Sequence, residues 1–417
     1  MEKTEVKHRR YYENALWQYG LQFTKYVFPL LVIPYLTRIL KPEGYALFAY
    51  VQAFMTFAMA IAEFGFNLSG TKKIAAEEDR GRLSRIVGSI TQARILLCVA
   101  LGLAVFGIVQ FIPLMRNHPA YSTLAYLAIC GKALVPDFVF MGKEKMAPLT
   151  TRFVVSKGVS TALTFVFVHS FSDILWIPVL DIVANIIALA WSFVAMKRLF
   201  GIGIQVASLR ESLADLKLSG IYCISELSTQ FFSGFSTLLI GILIADPVQI
   251  SYWSLAMTAV GGIQALFLPI ITSLYPHMVR NFDFAFAKRI AWIALPVLVA
   301  GTVLFASLAN PIVLLMGGQR YLPGSFILRI VAPVLLFSFY AMYFGWPVLG
   351  AAGKVNELTK TTFMSACISI VLVLAMFLSG HISVAAIAVI RTITEISLFW
   401  LRFRLCLRLP RRLHQLA

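Results

Sequence analysis

Apolar runs of about twenty residues recur along the chain, and most of them close in clusters of charge. At a rise of about 1.5 Å per residue, roughly twenty such residues cross the hydrocarbon core of a bilayer. The pattern therefore predicts membrane-spanning α-helices; a transmembrane β-barrel would instead alternate over segments of about ten residues. About twelve spans are expected, near residues 11–37, 43–66, 86–112, 120–141, 150–169, 174–196, 217–244, 249–276, 289–309, 324–349, 358–379 and 382–405.

The polar positions inside these runs are as regular as the apolar ones. In the first, Gln18, Gln22, Lys25 and Pro29 recur at spacings of four, three and four and share one helical face, while Leu21, Phe23, Val27, Phe28, Leu31 and Val32 occupy the others. A charge at the centre of a span costs about 2.5–3.5 kcal/mol on insertion scales, so Lys25 is expected to look at protein or water. The prolines Pro29 and Pro34 admit two readings, ordinary membrane packing, since prolines are common in spans, or a bending hinge.

The second span repeats the design with Gln52, Thr56, Glu63 and Asn67 on one face. Glu63 admits two readings: a salt bridge to a loop base such as Lys72 or Lys73, or a part in gating or ion coupling. Spans three to six carry Arg94, Lys132 with Asp137, Lys157 and Asp181. Over the first six spans, four bases thus face three acids, and at least one base is left for water, backbone carbonyls or a ligand. Span seven presents Ser219, Tyr222, Glu226, Gln230, Ser233 and Thr237 as a polar stripe that is expected to line a cavity. Further on, Arg391 and Glu395 are spaced to pair, and Arg329 is expected to snorkel to the outer surface.

Composition agrees with the pattern. Of 417 residues, 59% are hydrophobic and only 13% charged, with a mean hydropathy of +0.81, whereas about a quarter of a soluble domain is charged. The formal charge of +17 points to no nucleic acid, because it follows the membrane. Outer segments hold only Arg38, Lys41, Arg116 and Arg320, while most other bases, Arg152 among them, are counted to the inner segments, which sets both termini in the cytoplasm. The longest inner connection, 197–217, separates an amino-terminal six-helix lobe, 1–196, from a second, 218–405, followed by a basic tail, 406–417; the five arginines from Leu401 to Arg412 are expected against anionic lipid. A weak repeat, Pro42 with Tyr45 and Ala49 against Pro247 with Tyr252 and Ala256, fits a parallel duplication.

Catalytic chemistry is missing from the motifs. There is no HExxH, no GxSxG, no GxGxxG and no phosphate loop ending in GK[ST], and no extramembrane segment is long enough to fold alone. The five cysteines all fall in spans and suggest neither disulfide nor metal. An enzyme is not expected, and no cofactor beyond a proton or sodium gradient.

Two stretches carry a family resemblance. One is Pro34-Tyr35-Leu36-Thr37-Arg38-Ile39-Leu40 with Pro42-Glu43-Gly44-Tyr45, followed by Gln52-Ala53-Phe54 and by Glu63 through Ala75. The other is Pro136-Asp137-Phe138 through Phe140, Gly142 and Glu144-Lys145-Met146. Together they resemble the Wzx-type O-antigen flippases of the multidrug/oligosaccharidyl-lipid/polysaccharide (MOP) exporter superfamily. The family usually has an aromatic-Gln-Gly run where this chain reads Phe140-Met141-Gly142, so that Gln is missing. The resemblance implies a V-shaped pair of six-helix lobes in the cell inner membrane. Its cargo would be an undecaprenyl-diphosphate-linked oligosaccharide, an O-antigen or similar surface-glycan unit, moved from the cytoplasmic to the periplasmic leaflet, with other glycan-assembly membrane proteins as partners.

On that basis Lys25, Arg94, Lys132 and Lys157 are expected to form the cationic field for the diphosphate, with Gln18, Gln22 and Gln52 bonding the glycan. Glu63, Asp137, Asp181 and Glu226 are the candidate ion-coupling acids. The alternatives are a drug/cation antiporter of the same superfamily, which calls for an acidic cavity, and a membrane-embedded glycan polymerase, which calls for a large outer loop. The longest outer segment, about 310–323, is short.

Overall fold

The computed structural model describes residues 2–244, 246–280 and 282–413, with side chains from Glu13 to Leu409 except at 15, 225, 228, 229, 231–233, 276 and 277. The side chains of Ser233, Pro276, Arg411 and Arg412 therefore lie outside the described residues. The described chain is helical, and nine of its helical stretches are long and apolar enough to cross a membrane. It divides into two compact units, Met1–Leu238 and Leu239–Ala417.

The first unit contains α1 (Glu2–Glu63), α2 (Phe66–Ala76), α3 (Arg80–Val109), α4 (Pro113–Arg116), α5 (Pro119–Ala133), α6 (Asp137–Gly142), α7 (Met146–Phe167), α8 (Trp176–Phe200) and most of α9 (Leu209–Leu243). Helix α1 is two rods joined at Lys41, whose φ of 59° and ψ of 175° leave the helical region. The ring of Pro42 disfavours the α conformation in the residue before it, and the turn between the first two runs falls there, whereas the helix continues through Pro29 and Pro34. A second reversal, at Phe64 (φ 48°) and Gly65 (φ 70°), sends α2 away from α1. Helix α2 buries Phe66 and Ile74 against Leu83, Val87 and Ile90 of α3 and Phe138 and Phe140 of α6. Helices α1, α5, α7 and α8 pack on one another.

The chain after α8 has no regular secondary structure over 201–208 and is stitched to α3. Gly203 N–H donates to Ser84 Oγ (3.0 Å), Gln205 N–H to the Ser84 carbonyl (3.2 Å) and Ala207 N–H to Gln92 Oε1 (3.1 Å). Asp215 then accepts from Lys73 and from Ser89 (2.7 Å), Arg85 pairs with Glu211 at 2.9 Å, and Ser69 and Ser219 share a hydrogen bond of 2.7 Å. Residues 197–217, which hydropathy marks as a connection, thus form a strap on the first unit. The polar groups that keep this segment out of the membrane are the ones that bind it to α2 and α3.

The second unit contains α10 (Pro247–Gln264), α11 (Leu268–Arg280), α12 (Phe284–Ser307), α13 (Ala309–Gly317), α14 (Ser325–Val331), α15 (Pro333–Tyr343), α16 (Val355–Leu378) and α17 (Val384–Leu413). Pro247 opens α10 as Pro42 opens the second rod of α1. Aromatic rings fill the core, among them Phe267, Phe339, Tyr340, Tyr343 and Phe344. After α15 the helix loosens into a π-helical turn, Phe344–Gly350, broken at Gly345. Arg402 donates to the Ala341 carbonyl (2.5 Å) and to Thr362 (3.0 Å) beside this break. Arg402 is thus turned into the protein, where the sequence reading had it in a lipid-facing basic segment. The expected Arg391–Glu395 pair forms at 2.8 Å. Arg329 donates to Asn310 at 2.9 Å.

Candidate functional site

A cavity of about 550 Å³ lies within the first unit. Helix α1 lends it Lys25, Gln52, Thr56 and Glu63; α5 lends Lys132; α7 lends Arg152, Ser156 and Lys157; α8 lends Asp181 and Asn185; α9 lends Glu226 and Gln230. Asn67 and Asp137, at the starts of the short helices α2 and α6, complete the polar lining. The regular spacings in the sequence converge here because each polar stripe avoids lipid by facing the same interior.

The charges fall into two kinds. Arg152 is almost wholly enclosed, with its side chain 5% exposed; its Nη1 lies 2.6 Å from Asp137 Oδ1 and donates to Ser192 Oγ at 2.7 Å. Lys157 Nζ lies 2.7 Å from Asp181 Oδ1, and Ser160 donates to the same oxygen at 3.1 Å. Lys25 and Lys132, by contrast, are exposed on the cavity wall and make no ion pair with any described residue. Lys25 stands within electrostatic reach of Lys132, Arg152, Asp137 and Glu63.

Glu63 accepts from Asn67 Nδ2 at 3.1 Å. The alternative in which it pairs with Lys72 or Lys73 does not occur among the described residues, because Lys73 is bound to Asp215. Glu226 accepts from Gln230 at 3.3 Å.

Three of the sequence-derived site residues stand apart from the lining. Gln18 and Gln22 occupy exposed positions on α1, one to two turns before Lys25. Arg94 is 1% exposed. It donates to the Val135 carbonyl (3.0 Å) and to Asn67 Oδ1 (3.1 Å), and its guanidinium lies over the rings of Phe66 (5.8 Å) and Phe138 (5.3 Å). Val135 sits in the gap between α5 and α6, where Pro136 supplies no N–H, so Arg94 binds a carbonyl at that break. Asn67 links Arg94 to Glu63.

Arg152 escaped the sequence reading, which counted it with the cytoplasmic bases. The signal was present: Arg152, Ser156 and Ser160 recur every four residues and share a face. No group of three metal-ligating side chains occurs among the described residues.

The chain matches the model of a family described as polysaccharide biosynthesis protein over residues 11–282. The chain belongs to this family. Every residue lining the cavity falls inside the matched region.

Two curated relatives of the polysaccharide biosynthesis chain carry the name "Putative O-antigen transporter". One, from Escherichia coli (strain K12), is 26% identical over 378 residues, covering 86% of this chain and 88% of its own. The other, from Shigella dysenteriae, is 23% identical over 363 residues, covering 85% and 90%. Among solved structures, the lipid II flippase MurJ in an inward closed conformation matches with a TM-score of 0.71 at 13% identity, over 94% of this chain and 87% of that one. An inward-facing multidrug resistance MATE family transporter of the MOP superfamily matches with a TM-score of 0.64 at 15% identity, over 94% of each chain. This polysaccharide biosynthesis protein therefore has the fold of MOP-type membrane transporters.

Proposed function

We propose that the chain is a flippase that carries an undecaprenyl-diphosphate-linked oligosaccharide from the cytoplasmic to the periplasmic leaflet of the inner membrane by alternating access, driven by an ion gradient. The observation that carries this reading is the pair of exposed lysines, Lys25 and Lys132, on a cavity wall without carboxylate partners among the described residues. A diphosphate and its sugars cannot cross hydrocarbon without partners, since each unsatisfied polar group costs several kcal/mol there. A hydrated cavity with open cations removes that barrier, and charge-assisted hydrogen bonds suit phosphate oxygens. The names of the two curated relatives support the same cargo class.

Twelve spans with both termini cytoplasmic fit the helices. The stretch Leu16–Ala76 holds two passes because Lys41 interrupts it, and Met146–Phe167 and Leu209–Leu243 add two whose cavity-facing or strap-binding charges lower their apolarity. A drug/cation antiporter of this fold would use uncountered carboxylates facing open space, and Glu63 and Glu226 stand in the same wall as the two open lysines, so the two readings differ in which pair holds the cargo. Proteoliposomes containing a fluorescent polyprenyl-diphosphate oligosaccharide test the proposal. Protein-dependent transfer between leaflets is expected; absence of transfer, together with proton-driven release of a cationic dye, overturns it in favour of the antiporter.

A further inference from the structure

The four bases that line the cavity are not equivalent. Lys25 and Lys132 are open, while Arg152 and Lys157 already hold the carboxylates of Asp137 and Asp181. We infer that Asp137 and Asp181 act as internal counter-ions that the cargo's diphosphate displaces, so that Arg152 and Lys157 pass from carboxylate to phosphate and back in each cycle. This rests on the flippase reading above.

Several observations lead there. Lys157 is 36% exposed and is met directly by an anion arriving at the two open lysines, while Arg152, at 5%, is uncovered only as Asp137 turns away; both carboxylates, Asp181 at 26% and Asp137 at 32%, have cavity space to turn into. Both cations keep a partner through the exchange or gain one. Arg152 remains fixed by Ser192, and its buried Nε has no hydrogen-bond partner among the described residues, which leaves a donor of the fork for a second acceptor. Asp181 keeps the hydroxyl of Ser160 when Lys157 turns away. Exchange of one anion for another leaves no cation uncountered in a low-dielectric site, where a bare buried charge is costly. A guanidinium also binds phosphate through parallel N–H donors, which a single carboxylate contact at Nη1 does not exhaust.

The arrangement works in both directions. Arriving diphosphate opens the pairs, and the pairs re-form as it leaves, so the carboxylates help to expel the cargo. The four candidate coupling acids are thereby divided. Asp137 and Asp181 neutralise the empty cavity, Glu226, which accepts a hydrogen bond from Gln230, is left for the coupling ion, and Glu63, held by Asn67, pairs with neither base of the exchange.

Binding of farnesyl diphosphate to the full-length protein in nanodiscs tests the exchange, with wild type, Asp181→Asn, Asp137→Asn and Glu63→Gln measured for affinity and dissociation rate. The counter-ion role predicts that each Asp→Asn variant binds at least about tenfold tighter than wild type and releases correspondingly slower, and that Glu63→Gln, which removes the same charge from the same cavity without freeing a paired cation, changes affinity by less than about threefold. Either folded Asp variant behaving like wild type or like Glu63→Gln, while wild type binds the probe, overturns the exchange and leaves the flippase reading standing. No binding by wild type or any variant overturns both. Lys25→Ala serves the flippase reading alone and is expected to weaken binding about tenfold.

Discussion

Arg152 and Asp137 meet at 2.6 Å across the wall of the cavity, tying α7 to the first residue of α6. Removing one member of an enclosed ion pair strands the other, at a cost of about 3–5 kcal/mol. Arg152→Ala is therefore expected to lower the melting temperature of the detergent-solubilised protein well beyond the effect of Lys157→Ala, because Lys157 is 36% exposed where Arg152 is 5%, and its partner Asp181 keeps the hydroxyl of Ser160. Replacing both partners, Arg152→Met with Asp137→Leu, is expected to recover most of that loss while abolishing transfer of cargo.

Lys25 and Lys132 make no such contact, so truncating them removes charge and leaves nothing unsatisfied. Lys25→Ala and Lys132→Ala are expected to lower surface glycan in a strain that depends on this protein, with membrane abundance unchanged on immunoblots. The double variant is expected to fall further. Wild-type glycan in both single variants and the double would contradict the proposed site.

Arg94 is expected to behave in the opposite way. Its loss takes one of two donors from the Val135 carbonyl, which also accepts from Asp137 N–H, strips Asn67 Oδ1 of its Arg94 donor and bares one face each of Phe66 and Phe138; an acceptor left without a partner costs about 1–3 kcal/mol. Arg94→Ala should reduce abundance and melting temperature together. Arg94→Lys should restore little, because a single ammonium cannot bond Val135 and Asn67 while stacking on two rings.

The strap offers a test at a residue that carries no charge. A side chain at Gly88 would meet the carbonyl of Gln205, whereas one at Gly107 would meet nothing within 4 Å. Gly88→Ala is expected to cost about 1–3 kcal/mol, in the range of overpacking, and to expose Arg210 to trypsin. Gly107→Ala, in the same helix, is expected to be neutral or mildly stabilising.

Acid should loosen the same segment late. The Glu211 carboxyl is held below its ordinary range by the Ser208 backbone N–H and by Arg85, so its contribution is complete above the unfolded value and is lost as pH falls through the lower folded one. Hydrogen-exchange protection of residues 205–215, corrected for intrinsic rates, is expected to stay flat from pH 7 to about 5 and to decline only below about 4.

The helices were legible in the sequence because bilayer thickness imposes one length on every apolar run. The cavity was legible because polar stripes at spacings of three and four have only one interior to share; Lys25, Gln52, Lys132 and Lys157 were found in this way. Pairing was harder to read. Spacing locates Asp137 on a face but carries no record of which base on another helix approaches it, so Arg152 was read as a cytoplasmic base. Arg94 shows the converse: its stripe marks it as inward-facing, yet the rings of Phe66 and Phe138 that enclose it arrive from α2 and α6, through two chain reversals that hydropathy does not register. The strap was invisible for a related reason, since three of its bonds run through backbone N–H groups that every sequence possesses and the rest pair side chains far apart in the chain.

That strap changes where the molecule can be cut. A fragment ending within residues 197–217 would part Asp215 from Lys73 and Ser89 and leave the edge of α3 bare, and would also lack Glu226 and Gln230 from the cavity wall. One ending after Leu238 keeps every rung of that ladder, so it is the amino-terminal piece to express on its own or to pair with a separately encoded remainder.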